Sequence, residues 1–211
     1  MIVQTAELTA TGTSSQTDPV PASTATAPAH LRRLVLTGFM GAGKTTVGRL
    51  LAARLGWDFL DLDAYIESRT GLPVPSIFAA QGEQHFRQLE SQALAAALGR
   101  RNIVLALGGG TPEILTNRLL LEQTPATATI FLDAPFATLF DRCLVQALNS
   151  GAAAPGQARP NLADPAAAQT RFLARQPLYR RLAHHTIDTE SLSTEQTVTT
   201  LLARLNSAPR R

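Results

Sequence analysis

The segment Gly38-Phe39-Met40-Gly41-Ala42-Gly43-Lys44-Thr45 puts glycines, a lysine and a hydroxyl into one short loop. Glycines let successive N–H groups converge on a phosphate, and a lysine at the end adds a compact charge reaching β- and γ-phosphates. The threonine hydroxyl can supply an oxygen to Mg²⁺. This is the spacing of a P-loop. Lys44 is the only lysine in 211 residues; every other fixed positive charge is an arginine, whose planar fork suits such a nest poorly. Gly41, Ala42, Gly43, Lys44, Thr45 and Thr46 are therefore expected to bind a nucleotide, with Lys44 also acting in catalysis.

Further residues could complete phosphoryl transfer. In Phe59-Leu60-Asp61-Leu62-Asp63, a strand carrying both acids would point them the same way, about 6.6 Å apart at about 3.3 Å per residue. One could then order Mg²⁺ or its waters and the other an acceptor hydroxyl; two solvated acids, or Asp63 capping the next helix, would fit the same residues. Arg87 has Glu90 three residues on, which by position alone reads as a surface ion pair. Arg159-Pro160 lies in a Gly/Ala/Pro-rich stretch and could swing over a phosphate. Arg175 sits mid-helix, with Pro177 suggesting a kink. Gly108, Gly109 and Gly110 permit close approach of backbone to a ligand. Asp133 ends an apolar strand, but Asp133-Ala134-Pro135 reads better as a helix cap followed by a first-turn proline. His30, His85, His184 and His185 lack metal-ligand spacing.

The elements that must position these residues alternate. Leu34-Val35-Leu36 reads as a buried strand. Val47, Leu50, Leu51 and Leu55 form a helical stripe ended by Gly56. A strand at 59–63 leads to a short helix stopping near Gly71, and Ser76 is expected to cap another. A longer helix follows from Glu83 to about Leu98. Ile103–Leu107 and Thr129–Leu132 are buried-type strands, followed by a helix at 166–182, a strand at 185–188 and a C-terminal helix. Apolar strands alternating with helices predict an α/β fold, a parallel sheet covered on both faces. Ligands bind such sheets at the carboxyl ends of the strands, where the P-loop, the acid pair, the triple glycine and Asp133 all fall.

Composition sets outer bounds. Residues 1–30, rich in Thr, Ala, Ser and Pro and lacking Lys and Arg, read as a disordered tail, and 31–211 as one domain. No signal or transit pattern is present, and no apolar run approaches a membrane span. The lone Cys143 excludes an internal disulfide and suits a reducing cytoplasm. A net charge of +3 from scattered arginines suits anionic small substrates better than nucleic acid.

Taken together these motifs resemble the shikimate kinase family, of the P-loop nucleoside-monophosphate-kinase-like fold. The likeness runs from about Leu34 to Leu205. It is carried by the loop Gly38–Gly48, Phe59–Asp63 with Ile66-Glu67, and Ile77-Phe78. It continues through Gly82-Glu83, Phe86-Arg87 and Glu90, Leu107–Gly110, Arg159-Pro160, and Arg175 with Pro177-Leu178-Tyr179-Arg180. The resemblance implies a three-layer kinase with a five-stranded parallel sheet and a mobile lid over about 145–165. It implies transfer of the ATP γ-phosphate to the 3-hydroxyl of shikimate with Mg²⁺, on the way to aromatic amino acids. By the family pattern Asp63 holds the hydroxyls and is the candidate base, and Asp61 orders the Mg²⁺ shell. Arg87 and Arg175 clamp the carboxylate beside Gly108–Gly110, and Arg159 comes from the lid. Asn161 and then Leu162 follow Arg-Pro where the family usually has Leu directly, and the lid is longer. A monomer with no nucleic-acid or membrane partner is expected. A gluconate or nucleotide kinase would share the P-loop. A GTPase switch would need a second lysine for its Asn-Lys-x-Asp motif, which the chain lacks.

Overall fold

Leu34, Val35 and Leu36 have no solvent exposure, and the strand pleat sends them alternately to opposite faces. In β1 (Arg33–Thr37), Leu34 and Leu36 join an apolar cluster with Val47 and Leu51 of α1 (Lys44–Leu55) and Val198 and Leu201 of α7 (Thr194–Ser207). Val35 joins a second cluster, with Phe86 and Leu94 of α3 (Val74–Leu98) and Leu121 of α4 (Leu115–Gln123). A strand apolar on both sides requires cover on both sides, and that requirement produces the three layers. The structure, a computed structural model, describes residues 25–149 and 164–207.

The sheet is completed by β2 (Asp58–Asp61), β3 (Ile103–Ala106), β4 (Thr127–Asp133) and β5 (His185–Asp188), in the order β2-β3-β1-β4-β5. Every neighbouring pair is parallel. Register aligns Asp61, Ala106, Leu36, Ile130 and His185 in one row across the sheet. The P-loop, the acids and the triple glycine follow within a few residues of that row, so sequence-distant loops meet at one edge. The expected five-stranded parallel sheet between helices is observed.

Local details depart from the sequence reading. The second strand stops at Asp61, and α2 (Leu62–Thr70) begins immediately, so Asp61 and Asp63 do not share an extended segment. Asp61 is the helix cap: its Oδ1 accepts from the backbone N–H groups of Asp63 and Ala64, the usual arrangement for orphan donors at a helix start. The next helix starts at Val74, ahead of Ser76, and the side chain of Glu67 accepts the Val74 N–H at 2.8 Å. Gly82, at φ 78°, interrupts α3, so a short segment and a longer one do meet there. Of the expected tail, residues 25–30 are described: Ala25 N–H donates to the Arg54 carbonyl, and Ala25 and Ala27 pack on the core. Residues 1–24, and the expected lid where it spans 150–163 between α5 (Phe136–Asn149) and α6 (Pro165–Leu182), lie outside the described residues.

Helix α6 continues through Pro177 without a break, and Phe172, Arg175 and Tyr179 follow one another at helical spacing along it. Phe172 packs edge-on against the P-loop's Phe39, with centroids 5.4 Å apart. The hydroxyl of fully buried Tyr179 donates to the Gly109 carbonyl. One helix thus ties both glycine loops together. Phe172→Ala should cost about 3–4 kcal/mol in a denaturant titration, the range for emptying a buried aromatic site. A cost below about 1 kcal/mol would contradict this role for the Phe39–Phe172 contact.

Candidate active site

The P-loop is held from behind. Phe39 points into the core, and Gly41, at φ +77°, presses its back against α5, where a Cβ would collide with the Leu139 carbonyl. Only glycine accepts both the left-handed backbone and the contact. Lys44 opens α1, its Nζ donating 2.9 Å hydrogen bonds to the carbonyls of Gly38 and Phe39. Its charge thus sits beside the free N–H groups of a helix N-terminus, where an anion is favoured. Gly41, Gly43, Thr45 and Thr46 line the same cleft. The Ala42 side chain faces the core, so only its backbone is available to a ligand.

Thr45 Oγ1 donates to Asp61 Oδ2 at 2.7 Å. These two hard oxygen donors stand together at the cleft floor, which suits Mg²⁺, an ion that takes one or two protein oxygens and completes its shell with phosphate and water. Among the described residues no group of three or more His, Cys, Asp or Glu could hold a metal alone. The donor set therefore fits a nucleotide-borne Mg²⁺.

Asp63, in the first turn of α2, lines the cleft two residues beyond Asp61. Burial pushes its pKa up to about 6, with Asp61, Glu90 and Glu67 adding to the rise and Lys44 opposing it. That places a carboxylate near the range useful to a general base at neutral pH.

The triple glycine lies against the other candidate side chains. A Cβ on Gly108 would stand 2.9 Å from Asp63 Oδ1 and 2.9 Å from Glu90 Oε1. One on Gly110 would stand 2.5 Å from Arg87 Nη2, and one on Gly109 3.7 Å from Arg175 Nη1. At Gly108 and Gly110 bare backbone is what allows these groups to converge, whereas at Gly109 the distance is ordinary contact. The run leads into a 3-10 turn at Thr111–Glu113.

The Arg87–Glu90 pair is not a surface ion pair. Glu90, 2.8 Å from the guanidinium, is 1% exposed, and its Oε1 also accepts from Thr111 Oγ1 at 2.6 Å. Burial works against the Arg87 charge, but Glu90 and Glu83 outweigh it and push its pKa up. Arg175 reaches in from α6 to Glu113 at 2.8 Å, and its Nε is buried without a hydrogen-bond partner among the described residues. An open buried donor fits an arriving anionic acceptor. Burial, the largest cause, raises the pKa of Tyr179, keeping its hydroxyl a donor.

Asp133 does not cap α5 through its side chain as expected. Its carboxylate accepts from Arg180 at 3.1 Å and Gln176 at 3.4 Å on α6. His184 Nδ1 accepts the Thr129 N–H, a structural bond next to β5. The cleft, about 1100 Å³, brings together Gly41, Gly43, Lys44, Thr45, Thr46, Asp61, Asp63, Arg87, Gly108–Gly110 and Arg175. Arg159, Asn161 and Leu162 lie outside the described residues. Thr138, Asp141 and Arg142 of α5 also line the cleft, and the sequence reading passed over them and Glu113. Asp141-Arg142, the only charged residues of α5, were the available signal; Glu113, in a three-residue turn, had none.

A P-loop at the switch point of a parallel sheet, beside an acid and two arginines, defines a P-loop nucleotide-binding protein of the small kinase type. Residues 40–206 match the family model described as shikimate kinase. The chain belongs to the shikimate kinase family. It is 41% identical over 175 residues to shikimate kinase of Symbiobacterium thermophilum, covering 82% of this chain and 95% of that protein. It is 39% identical over 177 residues to that of Neisseria gonorrhoeae, covering 82% and 96%. The Acinetobacter baumannii shikimate kinase, solved in complex with shikimate, superposes with a TM-score of 0.75 at 35% identity, over 84% of this chain and 94% of that one. A gluconokinase from Sinorhizobium meliloti, at 19% identity and a TM-score of 0.53 over 83% and 91%, shares the fold alone.

Because the folded-state pKa of Asp63 is raised from 3.8 to about 6, the folded protein holds this proton more tightly than the unfolded chain does. Ionisation then opposes folding: the cost is absent below about pH 4, grows as pH rises through 6, and is complete above. Asp63→Asn removes it. In metal-free buffer the variant should gain about 1–2 kcal/mol more over wild type at pH 7.5 than at pH 4, less than the full conversion because the carboxylate lines an open cleft. A gain equal at the two pH values, measured by denaturant titration, would contradict the raised pKa.

Proposed function

We infer that this chain is a shikimate kinase, transferring the γ-phosphate of ATP to the 3-hydroxyl of shikimate in aromatic amino-acid biosynthesis. The observation that carries the reading is the joint placement of Asp63, Arg87 and Arg175 around the Gly108–Gly110 backbone, in the cleft that also holds Lys44. A hydroxyl binder and a two-armed carboxylate clamp beside a phosphate cradle suit a cyclic hydroxy-acid.

In this reading Arg87 and Arg175 fix the carboxylate from two helices, each charge-assisted bond contributing about 1.5–3 kcal/mol. Asp63 orients the 3-hydroxyl and takes its proton as the oxygen bonds to the γ-phosphorus and the bond to the bridging β–γ oxygen breaks. Lys44 and the loop N–H groups hold the β- and γ-phosphates. Thr45 would contact Mg²⁺ and Asp61 would order its waters, and the bound ion would supply positive charge beside the phosphates. Positioning dominates, because phosphoryl transfer makes few covalent demands on the protein. Arg159 is assigned to the transferring phosphate from the sequence resemblance alone. A monomeric cytoplasmic enzyme is part of the reading; the single cysteine, the buried Cys143, supports the reducing compartment.

Purified protein should release ADP in the presence of shikimate at least about a hundredfold faster than with gluconate, quinate or AMP, a discrimination expected of sites that hydrogen-bond substrate polar groups. Equal turnover with gluconate would overturn the substrate assignment. Lys44→Ala should abolish transfer. Arg87→Ala and Arg175→Ala should each raise the KM for shikimate roughly tenfold or more, the loss of one charge-assisted pair. Unchanged KM in both arginine variants would remove the clamp.

A further inference from the structure

Resting on the reading of Arg87 and Arg175 as a carboxylate clamp, we propose that Glu113 is an internal surrogate for the substrate carboxylate, which must be displaced for substrate to bind. Glu113 Oε2 is 2.8 Å from Arg175 Nη2 and 3.7 Å from Arg87 Nη2, so one oxygen faces both arms of the clamp. Two guanidinium groups face three carboxylates here, those of Glu83, Glu90 and Glu113. Adding a substrate carboxylate would raise the excess of negative charge in a partly dry cleft, where Coulomb repulsion is weakly screened. One of the three must yield.

Burial rules out Glu90, and contact with both arginines singles out Glu113 over Glu83. Glu90 is 1% exposed and also bonded to Thr111, so it cannot leave without stranding a buried charge. Glu83 is 66% exposed and reaches Arg87 alone. Glu113 is 37% exposed, stands at the end of a three-residue 3-10 turn, and among the described residues its carboxylate bonds only to arginine. A rotamer change would send it to water while the arginines stay in place. The exchange of one carboxylate for another holds both arginines near their bound positions in the empty site, and it lowers net affinity because binding must first break the Glu113 pair.

The test is an NMR titration of the full chain at fixed ionic strength, comparing wild type with Glu113→Gln and Glu113→Ser. The probes are shikimate, cyclohexenecarboxylate as a bare carboxylate, and cyclohexenylmethanol, which lacks the charge. Both variants should bind the two carboxylates roughly three- to tenfold more tightly than wild type does, the scale of a partly exposed ion pair, and the alcohol unchanged. Weaker or unchanged carboxylate binding would overturn the proposal, since Glu113 would then merely support the arginines. An equal gain for the alcohol would also overturn it, pointing to shape instead of charge. If wild type binds cyclohexenecarboxylate with the expected Glu113 dependence but shows no preference for shikimate, the substrate reading fails and the surrogate role stands.

Discussion

A carboxylate sealed from water organises the acceptor half of this cleft. Glu90 is 1% exposed, and a buried charge of this kind is tolerable only when paired and hydrogen-bonded. Its two oxygens are satisfied by different elements: Oε2 by Arg87 on the same helix, Oε1 by Thr111 just past the triple glycine. The same bonds therefore fix the Arg87 guanidinium and the turn that ends the glycine run. The adjoining backbone can lie against Asp63 and Arg87 only because Gly108 and Gly110 lack side chains. Breaking the Glu90 network would unpair a buried charge and release several cleft walls together.

The nucleotide half is built on a different principle, backbone shape backed by aromatic packing. Phe39 anchors the loop in the core, against Phe136 and Phe172, while Gly41 lies flat on α5. Helix α6 joins the halves, with Phe172 under the P-loop, Tyr179 under Gly109 and Arg175 between them. The raised pKa of Asp63 is the cost of that convergence. An acid buried in the cleft wall and crowded by Asp61, Glu90 and Glu67 is poorly placed for folding and well placed to accept a proton.

The layers and the cleft were largely legible in the sequence, because fully apolar strands and glycine loops are strong local signals. The P-loop, the parallel sheet and the gathering of Lys44 and Asp63 at one edge followed from order alone, whereas Arg87 and Arg175 joined them only through the family resemblance. What escaped depends on three-dimensional packing. Asp61 and Asp63 read as one strand because the run Phe59–Asp63 alternates, yet Asp61 is already satisfying the N-terminus of α2. The depth of Glu90 could not be read from its spacing to Arg87, which on an exposed helix would mean a weak surface pair. Asp133 escaped its cap because Arg180 and Gln176, more than forty residues on, compete for it. Glu113 carried no period at all.

The most direct measurement is a structure of the protein with shikimate and a non-hydrolysable ATP analogue bound together. The account predicts the shikimate carboxylate on Arg87 and Arg175, its 3-hydroxyl on Asp63 Oδ1 or Oδ2 facing the terminal phosphate, and Lys44 on that phosphate. A ring bound in the cleft with its carboxylate away from both arginines, or with Asp63 facing none of its hydroxyls, would contradict it.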